Sequence, residues 1–537
     1  MAYYRDLREV IDTLERQGRL TRIRRPVARE TELTPIYRLQ FRGLGEDERK
    51  GFLFENVVDV KGKKFDFQVA AGIYSASREI YALGLQCEPG EIKERWVQAL
   101  KHPVPPVVVE GGPVHEEIHT GRDLEEMGLD EIPFPLEEPG FSGTIRTSMN
   151  CFITKDPETG EVNCGAYSGH YASRTQMRCG IGPTHHGYIH WKKARQKGES
   201  LPVAVVVGML PTLMYASSAS LPYGLSELAV AGGLVGEPME MVRCRTVDLE
   251  VPATAELVIE GEILPDELYP NSPFGDYPGY MHTGRGPACL LMKVKCITHR
   301  KRAIFTATTV GFPPWEGGKI AQINGESILY NFLKNFCNVP GIVDVAMHEA
   351  GGWENFIVVQ LKKTHPSQPW QALHLAVGYQ ASASGKIVIT VDDDVDPRNL
   401  DAVVWALCFS MQPHRDTRII TGKRPGLDPS AYPPGASREE RSYPQPQGAS
   451  CLLIDATRKW AYPPVGLPKK EYMERAIEIW EEEGLPPLKL KTPWYGYNLG
   501  DWTKEDEEMA DLAVKGEFAK IEAILSKGSI KIPSGER

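Results

Sequence analysis

The sequence predicts a mixed α/β (α+β) protein of several domains with a β-dominated centre. Three observations carry that expectation. The chain has 537 residues, far more than one hydrophobic core normally holds. Residues 145 to 312 contain successive runs of strand-forming residues between turn signals: TSMNCFITKD, EVNCGAYSG, LPVAVVVG, ATAELVIEGEI, ACLLMKVKCITHRKR and AIFTATTVG. After residue 316 helical and strand patterns alternate, as in a layer whose strands are buried.

In chain order, Asp6 precedes Leu7, Val10, Ile11 and Leu14 at helical spacing, and the pattern stops near Gly18, so the chain opens on an amphipathic helix. Short strands and helices alternate to about residue 110. The Pro- and Gly-rich PVVVEGGPVHEEIHTGRDLEEMGLDEIPFP reads as a passage between domains. ITKDPETGEVN reads as a hairpin, and a helix starts near Thr184 and runs through HWKKARQKG. LPVAVVVGMLPTLMYASSASLPYG approaches membrane-spanning length, but Pro202, Pro211 and its serines interrupt it; it reads as a buried strand, a loop and a short helix. Residues 422 to 450 are a proline-rich loop, and two charged helices, YMERAIEIWEEEG and KEDEEMADLAVKGEFAKIEAILSKG, close the chain. The expected division is an N-terminal α/β domain over 1–120, a central domain over 121–315, and a C-terminal α/β domain with a helical tail for oligomerisation over 316–537.

Composition excludes some classes. Hydrophobic residues at 42% and charged residues at 25% are ordinary for a globular protein, and a net charge of -10 argues against collecting nucleic-acid phosphates. The ten cysteines are scattered without a CxxC pair, which suits reduced thiols in the cytoplasm. The charged N-terminus has no secretory character. Neither a nucleic-acid partner nor a membrane is expected.

Two groups of residues carry chemistry. In NSPFGDYPGYM, residues 271 to 281, prolines and glycines hold one backbone path around Asp276, which reads either as a turn carboxylate or as an aimed general acid. Asn163, His186 and Glu227 offer an amide oxygen, an imidazole and a carboxylate, a mixed set that suits Mn²⁺, Fe²⁺ or Mg²⁺. His186 beside His185, and Glu227 in LSELAVAGG, equally fit helix starts. Phe312 and Trp315 in VGFPPWEGG fit either cover for a flat substrate or packing.

The ordered runs ITKDPETGEVNCGAYS, HHGYIHW, LPVAVVVG, ASSASLPYGLSELAVAGGL, VPATAELVIEGEI, SPFGDYPGY, GKIVITVDDDVDP and LLIDATRK resemble the UbiD-type family of prenylated-flavin decarboxylases over nearly the whole chain. The resemblance implies a split β-barrel flavin domain between N- and C-terminal α/β domains, and assembly into homodimers or hexamers. It implies that Asn163, His186 and Glu227 hold a divalent ion, Mn²⁺ in the first place, against the phosphate of prenylated FMN. It adds Cys164, His185 and Lys386 as cofactor contacts, and it places Ser217 and Asp455 in segments that help hold K⁺. Asp276 matches the proton-transfer acid, and a flavin prenyltransferase would supply the cofactor.

At two catalytic positions the chain departs from the family: Ser168 stands at an arginine position and Asn271 at a glutamate position. A buried Glu without its Arg would be an uncompensated charge, so the two losses read as one change. Carboxylate recognition then falls to Arg146, Arg174 or Arg178, or the substrate brings its own anchor, as a CoA thioester of the phthaloyl-CoA kind would, with KKARQK and HRKR meeting the CoA phosphates. The implied activity is reversible, non-oxidative removal of CO₂ from an sp² carbon of an aromatic or α,β-unsaturated acid. A phenylphosphate-type carboxylase, a split-barrel flavin oxidoreductase and a non-catalytic assembly subunit stay open, although no GxGxxG follows a strand to serve the oxidoreductase.

Overall fold

The opening helix forms at Leu7–Arg16, where Asp6 caps it by accepting the Glu9 N–H and Leu7, Val10, Ile11 and Leu14 are buried. It is seen in a computed structural model that describes residues 2–283, 287–379, 385–423, 427–433, 435–436 and 448–530. Much of the proline-rich 422–450 loop lies outside the described residues.

The centre is a nine-stranded sheet among the described residues. Its main path runs Val162–Gly165, Asn150–Lys155, Leu201–Val207, Leu257–Pro270, Pro287–His299, Gln176–Gly180, Ser168–Ser173 and Arg146–Thr147. ITKDPETGEVN is the antiparallel hairpin expected, with Asn163 opposite Thr154. VAVVVG lies in the buried strand Leu201–Val207, followed by the short helix Pro211–Ser217.

That order dictates the shape. Val162–Gly165 stands at one edge and Ser168–Ser173 second from the other, six strand steps away. In a flat sheet those steps, at about 4.8 Å each, would separate the two strands by about 29 Å. Yet only Ala166 and Tyr167 join them, and three Cα-to-Cα steps span at most about 11 Å. The sheet therefore curls until its edges nearly meet, leaving a split beside Ala166 and Tyr167. Register shifts in the long pair Leu257–Pro270 and Pro287–His299 supply bending points.

Two segments cross the expected divisions. AIFTATTVG leaves the central region: Ile304–Ala307 pairs in parallel with Gln68–Ala71 in the N-terminal sheet. All four of its residues are buried, so both of its faces are covered. Conversely, Glu117–Thr120, within the passage segment, pairs with the far end of Pro287–His299.

Helix Glu316–Asn331 leads into a second sheet, ordered Ile342–Met347, Phe356–Leu361, Ile387–Asp392, Ala449–Asp455 and Thr417–Lys423. Its three middle strands are parallel and its two edge strands antiparallel. The tail helices Lys470–Glu482, Lys504–Val514 and Phe518–Leu525 bury none of their own residues. No helix among the described residues is long and apolar enough to cross a membrane.

Glu326, buried on the connecting helix, ties the N- and C-terminal parts together by pairing with Arg78 at 2.6 Å and Arg398 at 2.8 Å. Burial alone would raise its carboxyl, but the two guanidinium groups overcome that and hold it at about 2. Replacing Glu326 by Ala removes a buried carboxylate shared by two half-buried guanidinium groups, of which Arg398 keeps Asp344, so the stability lost is about 1–3 kcal/mol, read as a lower denaturant midpoint at pH 7. A depressed carboxyl stabilises above its unfolded value, so the wild-type advantage should fade as pH falls from about 4.5 towards 2. A midpoint unchanged in the variant would contradict the assignment.

Candidate active site at the split of the central sheet

Asn163, His186 and Glu227 come together around one cavity of about 530 Å³. Asn163 sits on the edge strand of the sheet, His186 is the first residue of helix His186–Gln196, and Glu227 opens helix Glu227–Val235 behind its cap Ser226. The Cys164 N–H donates to Glu227 Oε2 at 3.0 Å, which fastens the carboxylate beside Asn163. Among the described residues no lysine or arginine pairs with Glu227, and burial pushes its carboxyl up to about 7 against the Cys164 N–H and its own backbone N–H. Burial likewise lowers His186, leaving a neutral imidazole able to ligate. An amide, an imidazole and a carboxylate short of positive charge suit a hard divalent ion and the anion it carries.

Across the split, Ser168 and Asn271 also meet, through a residue the sequence reading missed. His170 Nε2 lies 3.1 Å from Ser168 Oγ and 3.3 Å from Asn271 Nδ2. His170 is fully buried, and in strand register it stands directly between Arg146 and Arg178. Burial first, then those two cations and His282, hold its imidazole well below the usual range, so it is neutral. The signal was present: positions 168 and 170 share one face of a strand.

Asp276 lies beside this cluster on a small hairpin, Phe274–Gly275 with Met281–His282. Its Oδ1 accepts the Tyr277 N–H at 2.7 Å, and the Gly279 N–H closes the turn onto its carbonyl. So it does serve the turn, as the plainer expectation held. Burial nevertheless raises its carboxyl, opposed by the Tyr277 N–H and by Arg146 and His282. Phe274 packs on His170 at 5.2 Å between ring centres, while Tyr277 reaches Trp353 at 4.6 Å and accepts the Leu427 N–H, so the hairpin is clamped from both domains.

Arg146 fixes the base of that hairpin. It donates to the Gly275 carbonyl at 2.9 Å and pairs with buried Glu137 at 2.5 Å. Glu137 also accepts the Val310 N–H and the Ser148 hydroxyl. Neighbouring Glu138 accepts the Gly275 N–H at 3.0 Å, and burial together with Glu137 raises its carboxyl. Neither glutamate was anticipated, because PLEEPG matches no motif.

The other expected residues make contacts of their own, and the Ser217 carbonyl accepts the Ala166 N–H beside the split. Lys386 pairs with Asp428 at 2.5 Å and with Ser430. Asp455 is engaged by Lys459 at 3.0 Å and by Thr457, while Ser217 donates to the Met214 carbonyl. The Cys164 thiol is buried, and this residue meets the site through its backbone. His185 accepts the Gly182 N–H and stacks on Tyr167 at 4.9 Å. Arg174 is committed to Asp130 at 2.9 Å. The basic runs are paired in part: Lys193 with Asp156, Arg195 with Asp266, and Arg300 with Asp6 and Glu256, while Lys192, Lys301 and Arg302 are exposed. Phe312 is 58% exposed under Arg42, and Trp315 packs edge-on to Trp353.

Comparison with known proteins identifies the family. Residues 11–100, 107–313 and 320–456 match the N-terminal, Rift-related and C-terminal domains described for 3-octaprenyl-4-hydroxybenzoate carboxy-lyase, UbiD. An uncharacterized protein of Archaeoglobus fulgidus is 32% identical over 89% of this chain and 98% of its own. Among solved structures, the UbiD-class enzyme HmfF of Pelotomaculum thermopropionicum with prFMN is 26% identical, covering 87% of this chain and 97% of its own, at a TM-score of 0.72. The 3,4-dihydroxybenzoic acid decarboxylase AroY of Klebsiella pneumoniae is 28% identical, covering 85% and 95%, at 0.74. The vanillic acid decarboxylase of Sedimentibacter hydroxybenzoicus in closed form is 27% identical, covering 90% and 100%, at 0.75.

With burial pushing the Glu227 carboxyl up to about 7, a Mn²⁺ ion that took it as a ligand would displace its proton at pH 6.5 and would not above pH 8. Titration calorimetry in buffers of different ionisation enthalpy should show on the order of one proton released at pH 6.5. Glu227→Gln should abolish that release and lower Mn²⁺ and flavin affinity together. Full flavin occupancy in the variant would show that the ligand assignment is wrong.

Proposed function

The chain belongs to the UbiD family, and from that premise we propose that it is a prenylated-FMN-dependent decarboxylase that removes CO₂ from an sp² carbon of an aromatic acid. The observation that carries this reading is the pairing across the split: Asn163, His186 and Glu227 around one cavity on one side, and Asp276 on its clamped hairpin on the other. The solved relatives named for 3,4-dihydroxybenzoic and vanillic acids support an aromatic acid as substrate. A CoA thioester has less support, because the solved relatives are named for free aromatic acids.

Asn163, His186 and Glu227 would hold a divalent ion, manganese in the first place, against the flavin phosphate. Prenylated FMN, when bound, supplies the electron sink that takes up the charge left as CO₂ departs. The chain's own task is then positioning and proton transfer. Arg146 and Glu138 grip the two polar backbone groups of Gly275, so the next residue, Asp276, has little freedom to swing. The Tyr277 N–H occupies Asp276 Oδ1, and the raised carboxyl is protonated in a larger fraction of molecules than an ordinary Asp at the same pH. Asp276 delivers that proton to the carbon vacated by CO₂ and recovers it in the reverse direction.

The tail supports a homo-oligomer. Its helices leave Ile479, Val514, Phe518 and Leu525 exposed, an apolar surface suited to a second copy of the chain. A flavin prenyltransferase is the cofactor supplier this reading requires.

Asp276→Asn keeps the size and turn bonding but removes the transferable proton. Decarboxylation and solvent-deuterium exchange into the ring should both fall by about 100-fold or more, with flavin and metal content unchanged. Near-normal turnover would make Asp276 a turn residue only. Truncation after residue 466 should convert the assembled form to monomer in light scattering, and an unchanged mass would remove the tail from the interface.

A further inference from the structure

The Ser168 and Asn271 departures leave the site without the arginine and glutamate expected there, and the structure shows what stands in their place. Asn271 Nδ2 is a donor only, so its approach to His170 Nε2 requires that nitrogen to accept. Ser168 Oγ lies 3.1 Å from the same nitrogen, where a hydroxyl can serve either tautomer. The imidazole proton is therefore on Nδ1, and Nδ1 is buried with no partner in the protein. Asn271 Oδ1, a buried acceptor, is also without a partner. A buried neutral donor and acceptor left open within one pair of residues point to a ligand that completes them.

The surroundings decide which ligand. Arg146, His170 and Arg178 face the same side of three adjacent strands in direct register. Glu137 balances Arg146. Arg178 instead meets only carbonyl oxygens, of Tyr171 at 3.0 Å and Pro270 at 3.3 Å, and no carboxylate pairs with it among the described residues. The row thus carries one uncompensated positive charge beside one open N–H, and the His170 ring touches Phe274, two residues from Asp276. That combination fits a monoanionic carboxyl group close to the proton donor.

We propose that His170 is a substrate-contacting specificity residue: its Nδ1–H donates to a carboxyl oxygen of the aromatic acid while Arg178 supplies the balancing charge. Carboxylate recognition has moved to neighbouring strands of the same sheet face, and Asn271 serves to fix the His170 tautomer. The assignment rests on the decarboxylase reading of this split. Its test needs no turnover, so an enzyme that proved inactive would overturn that reading and leave this one to be judged separately.

The probes are benzoate, benzyl alcohol and FMN, each followed by titration calorimetry, the first two on flavin-loaded protein and FMN on the apoprotein. Wild type should bind benzoate about tenfold or more tighter than benzyl alcohol, which lacks the acyl oxygens. His170→Phe keeps a flat ring without a donor, and should weaken benzoate by about tenfold while leaving benzyl alcohol and FMN unchanged. Retained benzoate affinity in that variant overturns the proposal. A loss confined to FMN also overturns it, since the open donor would then serve the flavin edge. If circular dichroism shows that His170→Phe does not fold, Arg178→Gln decides: benzoate must weaken and benzyl alcohol must not, and equal binding of benzoate by that variant and wild type overturns the proposal.

Discussion

The two-residue link Ala166–Tyr167 is the constraint on which the rest depends. It joins an edge strand to a strand six steps away, and so forces the sheet to curl until its edges face each other. The curl brings chemically different groups to opposite sides of one gap: Asn163 with its cavity on the first edge, Ser168 and His170 on the other. Tyr167 occupies the link itself, packed between Phe152 and His185. Its Oη lies 3.4 Å from Asn163 Nδ2, and it also accepts the His186-adjacent Gly187 N–H at the same distance. The residue that closes the sheet thus also touches the metal-side cluster.

Charge is the second organising principle. On the proposed reading an acidic chain holds an anionic cofactor and an anionic substrate, and the two clusters would divide the two problems between them. On the metal side, Glu227, Asn163 and neutral imidazole leave room for an ion to supply positive charge. On the substrate side, fixed guanidinium groups are already present, and Glu137 offsets the one that also braces the Asp276 hairpin. Removing either member of the buried Arg146–Glu137 pair would strand a charge at a cost of about 3–5 kcal/mol. This explains why the hairpin can be rigid without being neutral.

Much of this was legible in the sequence where local chemistry decides. The opening helix, the ITKDPETGEVN hairpin, the buried VAVVVG strand and the α/β alternation after residue 316 follow from periodicity and turn residues. That Asn163, His186 and Glu227 line one cavity was expected from the family resemblance, since no compact motif links them. What escaped depends on partners distant in sequence. AIFTATTVG has strand character whichever sheet it joins, and only tertiary pairing assigns it to the N-terminal one. Glu137 lies in a segment that matches no motif, and its role comes from Arg146 and Val310, which no local pattern connects. Among the three arginines weighed, composition could not separate Arg174, paired with Asp130 at the surface, from Arg146 and Arg178, which flank His170 in register.

The most direct measurement is a crystal structure of the protein produced with a flavin prenyltransferase and manganese, with anomalous data collected at the manganese edge. The account predicts one anomalous peak ligated by Asn163, His186 and Glu227 and shared with a flavin phosphate, with the flavin ring lying in the split towards Asp276. A flavin bound elsewhere, or a manganese peak that does not involve Glu227, would contradict it.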